Sequence, residues 1–317
     1  MNVQFNESLS NSTRTIDYTQ EMLKTASQIF WDVVVITLYL MVVFYIFVML
    51  TIERKANGQR SNRNNRPTTA QKIGKLLRIN RYTTTIIFII QSFICLAERL
   101  VFELYFPNLC FLVKWAKVSL SNMIMMCSYT ALWLRQRSIY ANQALNHLTN
   151  RVTRFISAMI FFLIVLSAIG NMVAYIGNYR IAMTASGCSI VGARLSAKLS
   201  WIVIGATTLF MQISLLWLFL QPICKHRGNV GDTASSYNPV FKRAFATSFV
   251  CVLTDTIALS LSASSVINDA LTITRSLQFS LFINVLMVIA SFPDWKKTMF
   301  PYCSASNSEA KTETDNA

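Results

Sequence analysis

Ionisable side chains set inside long apolar runs are the residues of this chain whose types and spacing can do chemistry. Glu98, Arg99 and Glu103 stand in one such run, Lys114 and Lys117 in the next, and Asp255 in a later one, with Asn284 in the last. Burying a charge in hydrocarbon costs about 3 kcal/mol or more, so such groups are kept for pairing, for a pathway or for recognition. Arg99 and Glu103 are four residues apart, the spacing of neighbours on one helix face. Lys117, with Lys114 beside it, is placed for an internal salt bridge to Glu98. Asp255 is expected to hydrogen-bond Thr254, Thr256 or Asn284 across a bundle and to bias the packing of its own helix.

Catalytic constellations are missing from the sequence. Its two histidines, His147 and His226, have no partners at metal-ligand spacing, and no glycine-rich phosphate loop or nucleophile-base pair is present. No enzyme activity, metal or cofactor is expected.

The elements that must position these groups are helices in lipid. Hydrophobic residues make up 53% of the 317, charged residues 14%, and the mean hydropathy of +0.43 is too high for a surface that must be largely polar. Seven apolar stretches, at about 29–52, 83–106, 109–134, 155–176, 199–221, 244–267 and 276–293, each approach the length of a membrane-crossing helix. Irregular backbone cannot face lipid with unpaired amides, and the stretches lack the alternation of barrel strands. The expectation is an all-α membrane protein: a polar tail over 1–28, a seven-helix transmembrane bundle over 29–293 and a tail over 294–317. In the segment 53–82, Ile73, Leu76 and Leu77 alternate with Lys72, Lys75 and Arg78 at helical spacing, which fits a segment lying along the membrane surface or an inward extension of the second helix, the extension being favoured.

Charge placement sets the direction. The segments 53–82, 134–154, 222–243 and 294–317 hold 20 Lys and Arg, the opposite set only six, so the first set is expected in the cytoplasm and the N-terminus outside. This placement, with contact to anionic lipid, accounts for most of the net charge of +15 and makes a nucleic-acid partner unnecessary. Two glycosylation acceptor patterns, at Asn6 and Asn11, agree with an outside tail. Of seven cysteines, Cys95, Cys127 and Cys251 lie within apolar stretches and Cys224 and Cys303 on the cytoplasmic side. Cys110 and Cys188 are left outside, where a disulfide would pin the loop between helices four and five over the bundle.

Seven helices, an outside tail with acceptor sites and the pair Cys110–Cys188 resemble a rhodopsin-like (class A) G-protein-coupled receptor. In that family an arginine follows the third-helix cysteine by 25 positions within an Asp-Arg-Tyr motif; here that position is Arg135, within Leu134-Arg135-Gln136. The run from Asn284 to Val288 keeps the asparagine of the family's Asn-Pro-x-x-Tyr but neither its proline nor its tyrosine. Trp295, in the amphipathic run 294–300, stands where the family has a short eighth helix, and Cys303 resembles its palmitoylation site, an unmodified cysteine being the alternative. The resemblance implies an extracellular ligand bound among helices two, three, six and seven, and it places the family's main ligand contact at Lys117, where a lysine favours an anionic ligand group, with Glu98 and Lys114 beside it, the salt bridge to Glu98 being the other role. It also implies a heterotrimeric G protein at Arg135, with Arg137, Lys242 and Arg243 at the rim. The fourth stretch lacks a tryptophan, the sixth a proline and the second a central aspartate, so the likeness is one of topology and register more than of side chains. The absence of a lysine from the seventh stretch argues against a retinal-binding pigment. Outside the receptor class, a seven-helix transporter or channel subunit using the buried charges, or a non-signalling membrane adaptor, fits the same topology.

Overall fold

A computed structural model describes residue 27 and residues 29–54, 69–98, 110–140, 151–184, 187–193, 197–229, 238–265, 270–292 and 295. Seven helices are found among them: α1 (Ile29–Arg54), α2 (Thr69–Ala97), α3 (Cys110–Tyr140), α4 (Arg151–Asn178), α5 (Ala197–Asn229), α6 (Asn238–Ser265) and α7 (Ala270–Ala290). Between α4 and α5 stand two short strands, β1 (Tyr179–Thr184) and β2 (Gly187–Ala193), paired antiparallel with Thr184 opposite Gly187 and Met183 opposite Cys188. The pairing shifts register between Arg180 and Ile181.

The first four helices are long and apolar enough to cross a membrane; the last three carry shorter apolar segments, Ile202–Leu218, Phe245–Leu261 and Arg275–Ala290, among the described residues. Several helices outrun the apolar stretches from which they were expected. Helix α2 begins at Thr69, so the amphipathic segment with Leu76 and Leu77 does extend it, and α3 continues past Arg135 to Tyr140. A helix keeps its backbone hydrogen bonds wherever it runs, so lipid sets the length of the apolar part and leaves the polar turns beyond it free to continue.

Apolar side chains lie on both sides of these helices. On α1, Val43, Ile46 and Leu50 recur at the spacing of one helix face and are fully buried, while Leu38, Met41, Phe44 and Ile52 on the opposite face are exposed. Helix α4 exposes Phe155, Met159, Phe162, Leu166, Ile169 and Val173 along one stripe. Water would not tolerate an apolar surface so continuous, whereas lipid requires one. The described structure is that of an all-α membrane protein with one small hairpin.

Helix α3 is the axis of the packing, touching α2, α4, α5, α7 and both strands. Its Ile124 and Cys127 join the cluster formed by α1, α2 and α7, around Val43, Phe88 and Val285. Its Tyr129 and Leu132 face a second cluster with Ile160 and Ile164 of α4 and Met211, Leu215 and Leu218 of α5. Helix α1 closes the ring against α7, where Tyr39 stacks on Phe282 with centroids 4.3 Å apart, and against α2, where Tyr82 hydrogen-bonds the Leu50 carbonyl.

Candidate functional site

At the Cys110 end, Glu98 follows directly on α2 and is 2% exposed. Lys117 donates to its Oε2 at 2.9 Å, and Lys114 Nζ lies 2.5 Å from Oε1. Lys114 and Lys117 are three apart on α3 and so share a face, which lets both reach one carboxylate. Of the two roles open to Lys117, the structure displays the salt bridge. Arg99 and Glu103 lie outside the described residues. Beside this cluster a cavity of about 530 Å³ opens between α1, α3, α6 and α7, with Lys117, Tyr39 and Gln278 in its wall. Asp32 of α1 and Arg275 of α7 also line it and form an ion pair with each other. Helices two, three, six and seven all contribute to this wall, α2 through Cys95 and α6 through Leu261, and α1 supplies much of the rest.

Deeper in the bundle, Asp255 of α6 is 1% exposed and gathers four side-chain donors. Tyr129 of α3 donates to Oδ2 at 2.8 Å and Gln212 of α5 to the same oxygen at 2.5 Å. Asn284 of α7 donates to Oδ1 at 2.7 Å, joined by Ser280, one turn earlier on the same face. Gln212 also donates to the Tyr129 hydroxyl at 2.9 Å. A carboxylate accepts at about four lone-pair positions, so this set uses its acceptor capacity and ties α6 to three other helices. Of the partners expected from sequence, Asn284 is present, whereas Thr254 and Thr256 turn back to carbonyls of their own helix. Tyr129, Gln212 and Ser280 were missed. The criterion that picked out Asp255, a polar group within an apolar run, would have found Gln212 and Tyr129 as well.

At the opposite end of α3, Arg135 is partly buried between Leu134 and Gln136, both buried. Its Nη1 is enclosed with no hydrogen-bond partner, and the nearby charge that acts on it is another cation, Arg243 of α6. Arg243 donates to the Phe292 carbonyl at 3.4 Å. Arg81 of α2 packs over the Phe292 ring, 4.4 Å from its centroid, and pairs with Glu53 of α1 at 2.9 Å. Arg137 is exposed and lies over the Trp133 ring at 5.0 Å. The end of the bundle bearing Arg135 thus holds a group of arginines with one described acid, Glu53, already engaged by Arg81.

Cys110 is buried and disulfide-bonded, whereas Cys95, Cys127 and Cys251 are buried and not in disulfides. Cys188 lies in β2, whose backbone is described and whose strand rests against α3; its side chain, like that of Lys242, is outside the described residues. Asn6, Asn11, Cys303 and the expected eighth helix beyond Trp295 also lie outside them. Among the described residues no cluster of three or more His, Cys, Asp or Glu could hold a metal ion. No protein-family model matches the chain, and no curated protein matches it.

Proposed function

We propose that this chain is a seven-transmembrane receptor of the rhodopsin-like kind, seated in the plasma membrane with its N-terminus outside, that passes the binding of an extracellular ligand to a heterotrimeric G protein. The observation that carries the reading is the Asp255 hub. It joins α6 to α3, α5 and α7 at a depth between a cavity at one end and a cluster of arginines at the other. A ligand in the cavity acts by its differential affinity for two helix arrangements, and a shared buried network is a means by which both ends sense the same arrangement. The excess of Lys and Arg in alternate loops assigns the Arg135 end to the cytoplasm, where Arg135, Arg137, Lys242 and Arg243 meet the G protein.

Cys188 is the partner of Cys110 in this reading, holding the hairpin to the outer end of α3. Cys110→Ser then removes about 2–4 kcal/mol of stability, read as a lower melting temperature of the purified protein; reductant lowers that of the wild type to match. A melting temperature unchanged by both treatments contradicts the clamp. Asn6 and Asn11 carry glycans, and Cys303 a palmitoyl chain that holds the tail to the inner leaflet.

Among the described residues no acid restrains Arg135 and Arg243 repels it, so in this reading the resting state is weakly held. The expected result is G-protein signalling above that of mock-transfected cells without added ligand. Basal signalling equal to mock, with the protein confirmed at the surface, counts against the reading.

A further inference from the structure

The cavity beside Lys117 is lined by charges that are already matched and by one buried amide that is not. Its charged members are each held in an ion pair, Lys117 with Glu98 at 2.9 Å and Arg275 with Asp32. Gln278 of α7 lines the same cavity, is 8% exposed and makes no hydrogen bond among the described residues. Its amide is not closed off by neighbouring atoms, as the amide oxygens of Gln212 and Asn284 are, so it opens into the cavity. Buried side-chain amides are as a rule hydrogen-bonded, and one left open at a cavity wall marks a place for a polar partner. The rest of the wall is predominantly apolar and aromatic, with Ile36, Tyr39 and Leu261 among its members. Trp31 is 60% exposed and Phe279 49% exposed although both line the cavity, so its wall between α1 and α7 is continuous with the apolar outer surface of the bundle. A volume of about 530 Å³ lies within the range of small-molecule sites.

We infer that this cavity binds a neutral amphiphile whose head both donates and accepts hydrogen bonds, an amide or a hydroxyl, with the head at Gln278 and the apolar chain along Trp31 and Phe279 toward the lipid. The inference names a ligand class for the proposed receptor and rests on that reading for its consequence but not for its chemistry. A primary amide has two N–H donors and a carbonyl acceptor, so its complement carries both kinds of group. A charged head would be added to pairs that already balance. A carboxylate brings a further anion beside Asp32 and Glu98, an ammonium a further cation beside Arg275 and Lys117, and either must also leave water. The apolar chain gains by leaving water, and the open side gives it a route from the bilayer.

The test uses the full chain in nanodiscs of zwitterionic phosphatidylcholine, melted in the presence of dodecanamide, dodecanoate or dodecylamine, which share a chain and differ in the head. Mildly alkaline buffer keeps both ionic heads charged. Dodecanamide is expected to raise the melting temperature saturably, as a ligand of the folded state does, and dodecanoate and dodecylamine are expected not to. Gln278→Leu is expected to raise the half-saturating concentration of dodecanamide about tenfold, as the head loses its hydrogen bonds. The same variant without ligand should melt no lower than the wild type, because the amide has no partner to lose; a lower melting temperature gives Gln278 a structural role and overturns the head contact. Ile36→Trp fills the cavity and is expected to abolish the dodecanamide shift. Equal shifts from dodecanoate or dodecylamine overturn the neutral head. A dodecanamide shift unchanged in both variants reports partition into the bilayer and overturns the site, as does the absence of any shift in the wild type. G-protein recruitment is scored separately: binding without recruitment removes the receptor reading and leaves the cavity assignment, and recruitment without binding does the reverse.

Discussion

Asp255→Ala is expected to be among the most damaging single substitutions in the chain. It removes the acceptor shared by Tyr129, Gln212, Ser280 and Asn284, all buried. Each stranded donor loses its partner where water cannot replace it, at about 1 kcal/mol or more apiece, so a total of about 3–5 kcal/mol is expected. The measurement is the melting temperature in detergent. Asp255→Asn should cost far less, about 1 kcal/mol. Gln212 Oε1 and Asn284 Oδ1 are buried and without partners, so rotation of either amide presents an acceptor to the new amide protons. Near-equal losses from the two substitutions would show that the rotated amides do not compensate and that both carboxylate oxygens are needed to hold α6 in place.

Glu98→Gln is expected to have the second large effect, by a different cause. The two lysines face one buried carboxylate; without its charge they confront each other across a short gap at the membrane boundary. Removing one partner of a buried ion pair costs about 3–5 kcal/mol, and the 15–20% exposure of the lysines puts this case at the lower end. The diagnostic is a double substitution. Lys117→Gln added to Glu98→Gln should recover part of the loss, because the remaining Lys114 can turn its ammonium toward water. A double variant that melts as low as the sum of the single losses denies any coupling between the two residues.

The apolar stretches announced the helices because a lipid-facing segment must be apolar throughout, and that property is local in sequence. Where helices end is a matter of competition in water, and here α2 and α3 ran on past the stretches that predicted them. The β1–β2 hairpin is not distinguished from a loop by the sequence, since its strands are only six and seven residues long. Asp255 and Lys117 were legible as charges out of place. Their partners were legible unevenly: Glu98 lies 19 residues from Lys117, whereas Tyr129 lies 126 residues from Asp255. The pair Asp32–Arg275 spans 243 residues, and each member sits near the end of its apolar run, where a charge looks ordinary. That is why the contribution of α1 to the cavity could not be read in advance.

The central claim is that the Arg135 end of the bundle engages a G protein. Recruitment of G protein in cells, compared between the wild type and Arg135→Ala at equal surface amounts, tests it most directly. Recruitment by the wild type, falling about tenfold or more in the variant as a charge-assisted contact is lost, is the predicted result. No recruitment by either protein, or recruitment that the substitution leaves unchanged, contradicts it.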